Sequence, residues 1–111
     1  MTAMPARPTL RQLEYFMAVA RCGSLRRAAD ELAISQPTLT AQLARAEATL
    51  GVTLFERTRS GARLTPAGRR LEPHARRVLE AVEELASAAD ASRGGAARSE
   101  ERRVGKECAT G

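Results

Sequence analysis

Two groups of residues carry side chains suited to chemistry on a partner. The first is Ser35-Gln36-Pro37-Thr38, followed by Thr40, Ala41, Ala44 and Arg45. Small hydroxyl and amide side chains at the start of a helix can enter a DNA major groove, where Gln and Thr reach base edges. The second is Arg57, Arg59 and Arg63, a cluster of cations with only Glu56 against them. Such a cluster suits phosphates, which it would hold with salt-dependent affinity and without reading sequence. Each group has a plainer alternative, a solvated polar helix face for the first and a solvated arginine-rich loop for the second. Nothing resembles catalysis: there is no glycine-rich phosphate loop, no Ser/His/Asp set and no cysteine cluster. No cofactor or metal is expected. Cys22 and Cys108 form neither a disulfide framework nor a ligand set, and His74 has no ligand neighbours.

The first group must be positioned by the stretch Ser24 to Leu50, which reads as two short helices joined at Ala33-Ile34. Leu25, Ala28, Ala29 and Leu32 make one apolar face, with Ser24 in front as an N-cap and no acid three residues on to complete a capping box. Ser35 caps the second helix, whose first turn accepts Pro37 because its amides lack intrahelical partners. Leu39, Leu43, Ala46 and Leu50 form its buried stripe. Two amphipathic helices with small residues at their crossing describe a helix-turn-helix.

Length and charge narrow the class. The 111 residues allow one small domain, with a core of Leu, Ala, Val and Ile because only Tyr15, Phe16 and Phe55 are aromatic. A net charge of +5 and a pI near 10.5 favour an acidic partner, nucleic acid before membrane. No apolar run approaches the roughly 20 residues of a membrane span, and no signal peptide is evident, so the cytoplasm, at the nucleoid, is the expected compartment.

In chain order, residues 1–8 read as a disordered arm. Leu10, Leu13, Phe16, Met17 and Ala20 mark a helix capped by Thr9 and ended by Gly23; it is the third helix that a helix-turn-helix needs to close its core. Gly51 ends the second helix of the pair. Val52 to Phe55 has strand propensity, Ser60-Gly61 is a turn signal and Arg63-Leu64-Thr65 can return, giving a two-stranded wing that carries the arginine cluster near its tip. Thr65-Pro66 opens a long helix over 66–92, with Pro73 inside it as a complication. On that helix Leu71, Ala75, Val78, Val82, Leu85 and Ala89 recur at spacings of 4, 3, 4, 3 and 4, a heptad seam broadened by Leu79 and Ala86. Such a seam on a protruding helix predicts a homodimer, with packing back on the same domain as the alternative. A two-fold pair would present two recognition helices to a roughly palindromic site. The fold class expected is mainly α: a winged helix-turn-helix over 9–65 followed by a linker and dimerisation helix. A competing reading is a small basic coiled-coil interaction module without sequence-specific DNA binding.

Residues 9–92 also resemble the N-terminal domain of LysR-type transcriptional regulators. The resemblance rests on Ala28-Ala29, Ser35-Gln36-Pro37, Gln42, Glu47, Leu50-Gly51, Leu54-Phe55-Glu56-Arg57 and Leu64-Thr65-Pro66-Ala67-Gly68, all in register. It implies a bacterial regulator of transcription, not an enzyme, that binds double-stranded promoter DNA. The linker helix would make the dimer, with a tetramer and contact with RNA polymerase open in the full protein. It implies too a larger C-terminal domain, missing from this chain, that senses a small-molecule inducer. By position, Ser35, Gln36, Pro37, Thr38 and Thr40 resemble the base- and phosphate-contacting start of the recognition helix, and Arg57 the wing arginine. Two departures stand out. Ala41 occupies a place where many members carry a longer, often basic residue. Ala46 replaces a usual leucine, a loss of roughly 2 kcal/mol of transfer free energy unless a neighbour fills the space.

The end of the chain has a different character. Residues 1–97 hold 14 arginines and no lysine, and the one lysine, Lys106, lies in Arg98 to Cys108, RSEERRVGKEC. That string matches, residue for residue, the in-frame translation of a common sequencing-adapter oligonucleotide. The expectation is therefore that 93–111 is a disordered tail, that 98–108 is translated adapter and that the native protein continues past about Ala97. The alternative is a genuine basic tail, which its charge density permits.

Overall fold

The computed structural model describes residues 7–93; the expectations for the N-terminal arm and for the adapter-like tail lie outside the described residues. The element order is α1 (Leu10–Cys22), α2 (Leu25–Leu32), α3 (Gln36–Leu50), β1 (Phe55–Thr58), β2 (Gly61–Leu64) and α4 (Pro66–Ser92). This is the mainly helical, winged helix-turn-helix class expected. Two compact units divide the chain, residues 1–79 and residues 80–111, so the division falls inside α4.

Local chemistry sets each boundary. Thr9 and Gln12 form a capping box at the start of α1, and Gly23 ends that helix in the left-handed region. Ser24 caps α2 through the Arg27 amide. Between α2 and α3, Ala33 takes φ 60°, the only positive φ at a non-glycine among the described residues. That conformation costs a residue with a Cβ about 1–2 kcal/mol, offset here by the Ala33 amide bonding back to the end of α2. At α4, Thr65 caps the first turn: its hydroxyl accepts the Gly68 amide at 2.9 Å and donates to the Thr53 carbonyl. Pro73 sits inside α4 without dividing it.

The core of the first unit joins Tyr15, Phe16, Ala18 and Val19 of α1, Leu25, Ala28 and Ala29 of α2, and Leu39 and Leu43 of α3, with Leu54, Ala62 and Ala75. The apolar face expected for α1 is therefore rotated. Gln12, Tyr15, Phe16, Ala18 and Val19 are buried, whereas Leu10 is exposed and Leu13, Met17 and Ala20 are half-buried. The expected face includes neither Gln12 nor Tyr15. Gln12 is buried with partners, since Nε2 donates to Gln42 Oε1 of α3 at 3.1 Å while Oε1 accepts the Thr9 amide. Phe16 meets Phe55 edge to face at 5.6 Å between centroids, locking the wing's root to α1. On α3 the stripe holds at Leu39, Leu43 and Ala46, but Leu50 is exposed.

Candidate nucleic-acid interface

The start of α3 is held rigid by its own cap. Ser35 Oγ accepts the Thr38 amide at 3.2 Å and donates to Thr38 Oγ1 at 2.8 Å. Because Thr38 accepts from Ser35, its own hydroxyl proton remains available to donate elsewhere. Gln36, Pro37 and Thr38 are exposed, as are Ala41, Ala44 and Arg45, while Thr40 is half-buried. Gln36, Pro37, Thr40, Ala41 and Ala44 line one shallow, mostly apolar trough along the outer face of α3. The structure thus brings most of the first sequence-predicted group onto one surface; Arg45 is exposed on the same helix but does not line the trough.

The wing is a two-stranded antiparallel ribbon with Phe55 opposite Leu64, Glu56 opposite Arg63, Arg57 opposite Ala62 and Thr58 opposite Gly61. Its pairing starts at Phe55, three residues later than the strand propensity of Val52 suggests. The backbone before it is already committed: Glu47 at the end of α3 accepts the Val52 amide on its carbonyl and the Leu54 and Phe55 amides on its carboxylate. Thr65 takes the Thr53 and Leu54 carbonyls. On the other strand, the Ala62 amide donates to the Gly23 carbonyl at 3.0 Å, pinning the ribbon to the turn between α1 and α2. A Cβ on Gly61 would collide with that carbonyl, and Gly61 has φ +152°.

Register separates the three wing arginines. Residues paired across a ladder share a face. Arg57 shares its face with buried Ala62, and it lines the space beside Thr40 and Ala44 of α3. Arg63 lies on the opposite face with Glu56, its ion-pair partner at 3.9 Å. Arg59 is in the two-residue turn. Sequence spacing alone had grouped Arg63 with the other two; strand alternation takes it away.

An open cleft of about 260 Å³ lies between the starts of α2 and α3 and the wing turn. Arg57, Arg59 and Gln36 line it, and so do Ser24 and Arg26, which sequence reasoning missed. Nothing in the order of residues signals Arg26, because only the folding of the wing over α2 brings it beside Arg57 and Arg59. Glu47 and Gln12 were also missed as positioning residues, though both are polar residues embedded in apolar stripes, which is a readable signal.

The C-terminus of α1 and the body of α2 share a polar cluster. Arg21 makes a two-pronged ion pair with Glu31, and Cys22 Sγ donates to Glu31 Oε1 at 3.5 Å. Hydrogen bonding from Arg21 holds the Glu31 carboxyl below its ordinary range. Burial first, and the hydrogen bond to Glu31 second, push the Cys22 thiol up. Cys22 is therefore a neutral, half-buried thiol at neutral pH.

On α4 the heptad stripe is not uniform. Ala75 is 5% exposed in the domain's own core, with Leu71 packed against that core. Ala75 is thus a core residue, in place of the interface position its spacing suggested. Val78 and Leu85, at 41% and 70% exposure, are large apolar residues left open, with Val82 half-buried and Ala89 exposed. Among the described residues no helix is long and apolar enough to cross a membrane.

Comparison with known proteins agrees with this geometry. Residues 10–69 match the family model of the bacterial regulatory helix-turn-helix proteins of the lysR family. The chain is 50% identical over 70 residues to the HTH-type transcriptional regulator TcbR of Pseudomonas sp. (strain P51), covering 63% of this chain and 24% of that one. Among solved structures it is similar to the oxidized form of Corynebacterium glutamicum OxyR, at 41% identity and a TM-score of 0.77, over 86% of this chain and 29% of that one. It is similar also to the CbnR DBD in its complex with DNA, at 42% identity and a TM-score of 0.72, over 77% of this chain and 98% of that one. The chain spans about a quarter of the length of curated relatives such as TcbR and ClcR. With more than half of its residues inside the family model and its helices and wing in the matching arrangement, the chain belongs to the lysR family of bacterial regulatory helix-turn-helix proteins.

Proposed function

We propose that this chain is the sequence-reading DNA-binding part of a transcription regulator, acting as a homodimer on a roughly palindromic promoter site in the cytoplasm. The observation that carries this reading is the single surface on which Gln36 of α3 and Arg57 and Arg59 of the wing meet. The start of α3 would enter the major groove, where Gln36, Thr38 and Thr40 offer hydrogen bonds to base edges and Ser35 is placed for a phosphate. Arg45 would reach the backbone farther along the groove. The apolar part of the trough, Pro37, Ala41 and Ala44, suits thymine C5-methyl groups; the departure at Ala41 exchanges a polar contact for this one. Arg57 and Arg59 would grip flanking phosphates. Arg63, turned away beside Glu56, would add long-range attraction only.

Dimerisation would use the open stripe Val78, Val82, Leu85 and Ala89, with half-buried Leu71 at its edge. Inducer sensing, a tetramer and contact with RNA polymerase would belong to further residues of the whole regulator. A coiled-coil module without base reading leaves the capped, groove-sized start of α3 without a purpose.

The test is binding of the 111-residue chain to the duplex upstream of its own gene and to a scrambled duplex, at low and moderate salt. Tighter binding to the native duplex that survives moderate salt is expected. Equal binding to both that vanishes with salt overturns the reading.

A further inference from the structure

The cleft at the wing turn holds more positive charge than the proposed DNA contacts use. Arg26, Arg57 and Arg59 all line it, and no carboxylate does; the remaining polar lining includes Ser24, Gln36 and Ser60. Among the described residues none of the three arginines takes part in an ion pair. Three like charges from two separate elements border one polar cleft with no carboxylate in its lining, an arrangement that favours an anion there. At about 260 Å³ the cleft falls below the roughly 300–1,000 Å³ of small-molecule sites, and it is open on one side as a segment of polymer backbone requires.

We propose that Arg26, Arg57 and Arg59 form one phosphodiester clamp, with Arg26 as a DNA-positioning residue that holds the same backbone phosphate as the wing turn. Arg26 lies in the first turn of α2, so the clamp ties the helix-turn-helix to the wing through one strand of the duplex. A guanidinium offers a planar fork of donors to phosphate oxygens, and a phosphate accepts from several forks at once. The wing is fixed over α2 by the Ala62 amide on the Gly23 carbonyl, three residues before Arg26, so the three side chains start from a set geometry. A contact of this kind fixes register and carries no base information.

This inference rests on the DNA-binding reading, yet it fails separately from it. The slope of log K against log salt counts neutralised phosphates on any duplex, native or scrambled. With one phosphate shared, Arg26→Ala and Arg59→Ala should each weaken binding to native and scrambled duplexes alike at fixed salt while the slope changes little, because the other arginines still neutralise that phosphate; the double variant should lose less than the product of the two single losses. Arg26→Lys should recover most of the affinity, because the charge returns. A series of duplexes with one methylphosphonate at successive backbone positions should contain one position at which both alanine variants lose their effect. Since Arg26 is exposed and alanine favours helix, Arg26→Ala should keep its helical circular dichroism. An affinity of Arg26→Ala equal to its parent's, a slope lowered by a whole phosphate in each single variant, or losses that multiply in full in the double variant would overturn the clamp even if the native duplex is still preferred. Loss of preference for the native duplex, with the variants behaving as expected, would overturn the sequence-reading function and leave the clamp standing.

Discussion

The Glu47 carboxylate accepts the backbone amide of Leu54 at 2.7 Å, so the last turn of the recognition helix holds the first residue of the wing's approach. Leu54 is fully buried, and its amide has no water to turn to. The Glu47 carboxylate is thus one of the contacts that set the spacing between α3 and the arginines of the wing, beside the Ala62 amide on the Gly23 carbonyl and the Phe16–Phe55 contact. Glu47→Ala should cost about 1–3 kcal/mol, the penalty of leaving a buried amide unpaired, and Glu47→Gln less, because an acceptor remains. Urea unfolding of the three proteins measures this, and DNA affinity should fall in the same order.

Gly68 is packed against the wing's root. A Cβ there would meet the Leu54 carbonyl oxygen, which already accepts the Thr65 amide at 2.9 Å. Backbone cannot yield as a flexible side chain can. Gly68→Ala is therefore expected to destabilise by roughly 1–3 kcal/mol even though alanine is the better helix former. A raised melting temperature for this variant would contradict the packing.

If the trough on α3 reads methyl groups, replacing thymine by deoxyuridine across the bound duplex should weaken binding while leaving every Watson–Crick pair intact. A loss of about 1–3 kcal/mol per contacted position is the expected scale for a base contact. Ala41→Ser, which makes the middle of the trough polar, should reduce the difference between the two duplexes. Equal affinity for thymine and deoxyuridine duplexes would exclude methyl reading at Pro37, Ala41 and Ala44.

Leu85 is the most exposed large apolar residue of α4. Leu85→Glu should leave the unfolding of the winged helix-turn-helix unchanged and yet shift a dimer to monomer in sedimentation. Apposed like charges in a two-fold seam cost several kcal/mol. A monomeric parent chain, or a variant as dimeric as its parent, would remove the seam from the interface.

The Arg21–Glu31–Cys22 cluster sets a modest pH dependence. Glu31 is lowered in the fold by its hydrogen bond to Arg21, so its contribution is present above its ordinary value of 4.5 and is lost as pH falls through the lowered value. Cys22 is raised, chiefly by burial, so the fold loses a little stability as pH climbs past the thiol's ordinary 9.0. Both side chains of the ion pair are largely exposed, which keeps its worth under about 1 kcal/mol. Iodoacetamide should alkylate Cys22 slowly at neutral pH, and faster once the protein is unfolded.

Local sequence by itself determined the caps and the periodic faces. Thr9, Ser24, Ser35 and Thr65 each had the side chain that an N-cap needs, and Gly23 and Gly51 the freedom that a helix end needs, so six of the element boundaries around α1 to α4 required no tertiary knowledge. The small, uncharged start of α3 was legible for the same reason: cap, proline and polar face are all set within one turn. Tertiary structure decided whatever depends on contacts between distant residues. It rotated the buried face of α1 by giving Gln12 a partner in Gln42, and it delayed the first strand by spending the backbone of 52–54 on Glu47 and Thr65. Ladder register turned Arg63 away from Arg57, and the fold of the wing over α2 brought Arg26 to Arg59 across more than thirty residues. A helical or strand period constrains which residues share a face of one element; which face is buried, and what charge it meets there, is fixed only when the elements pack.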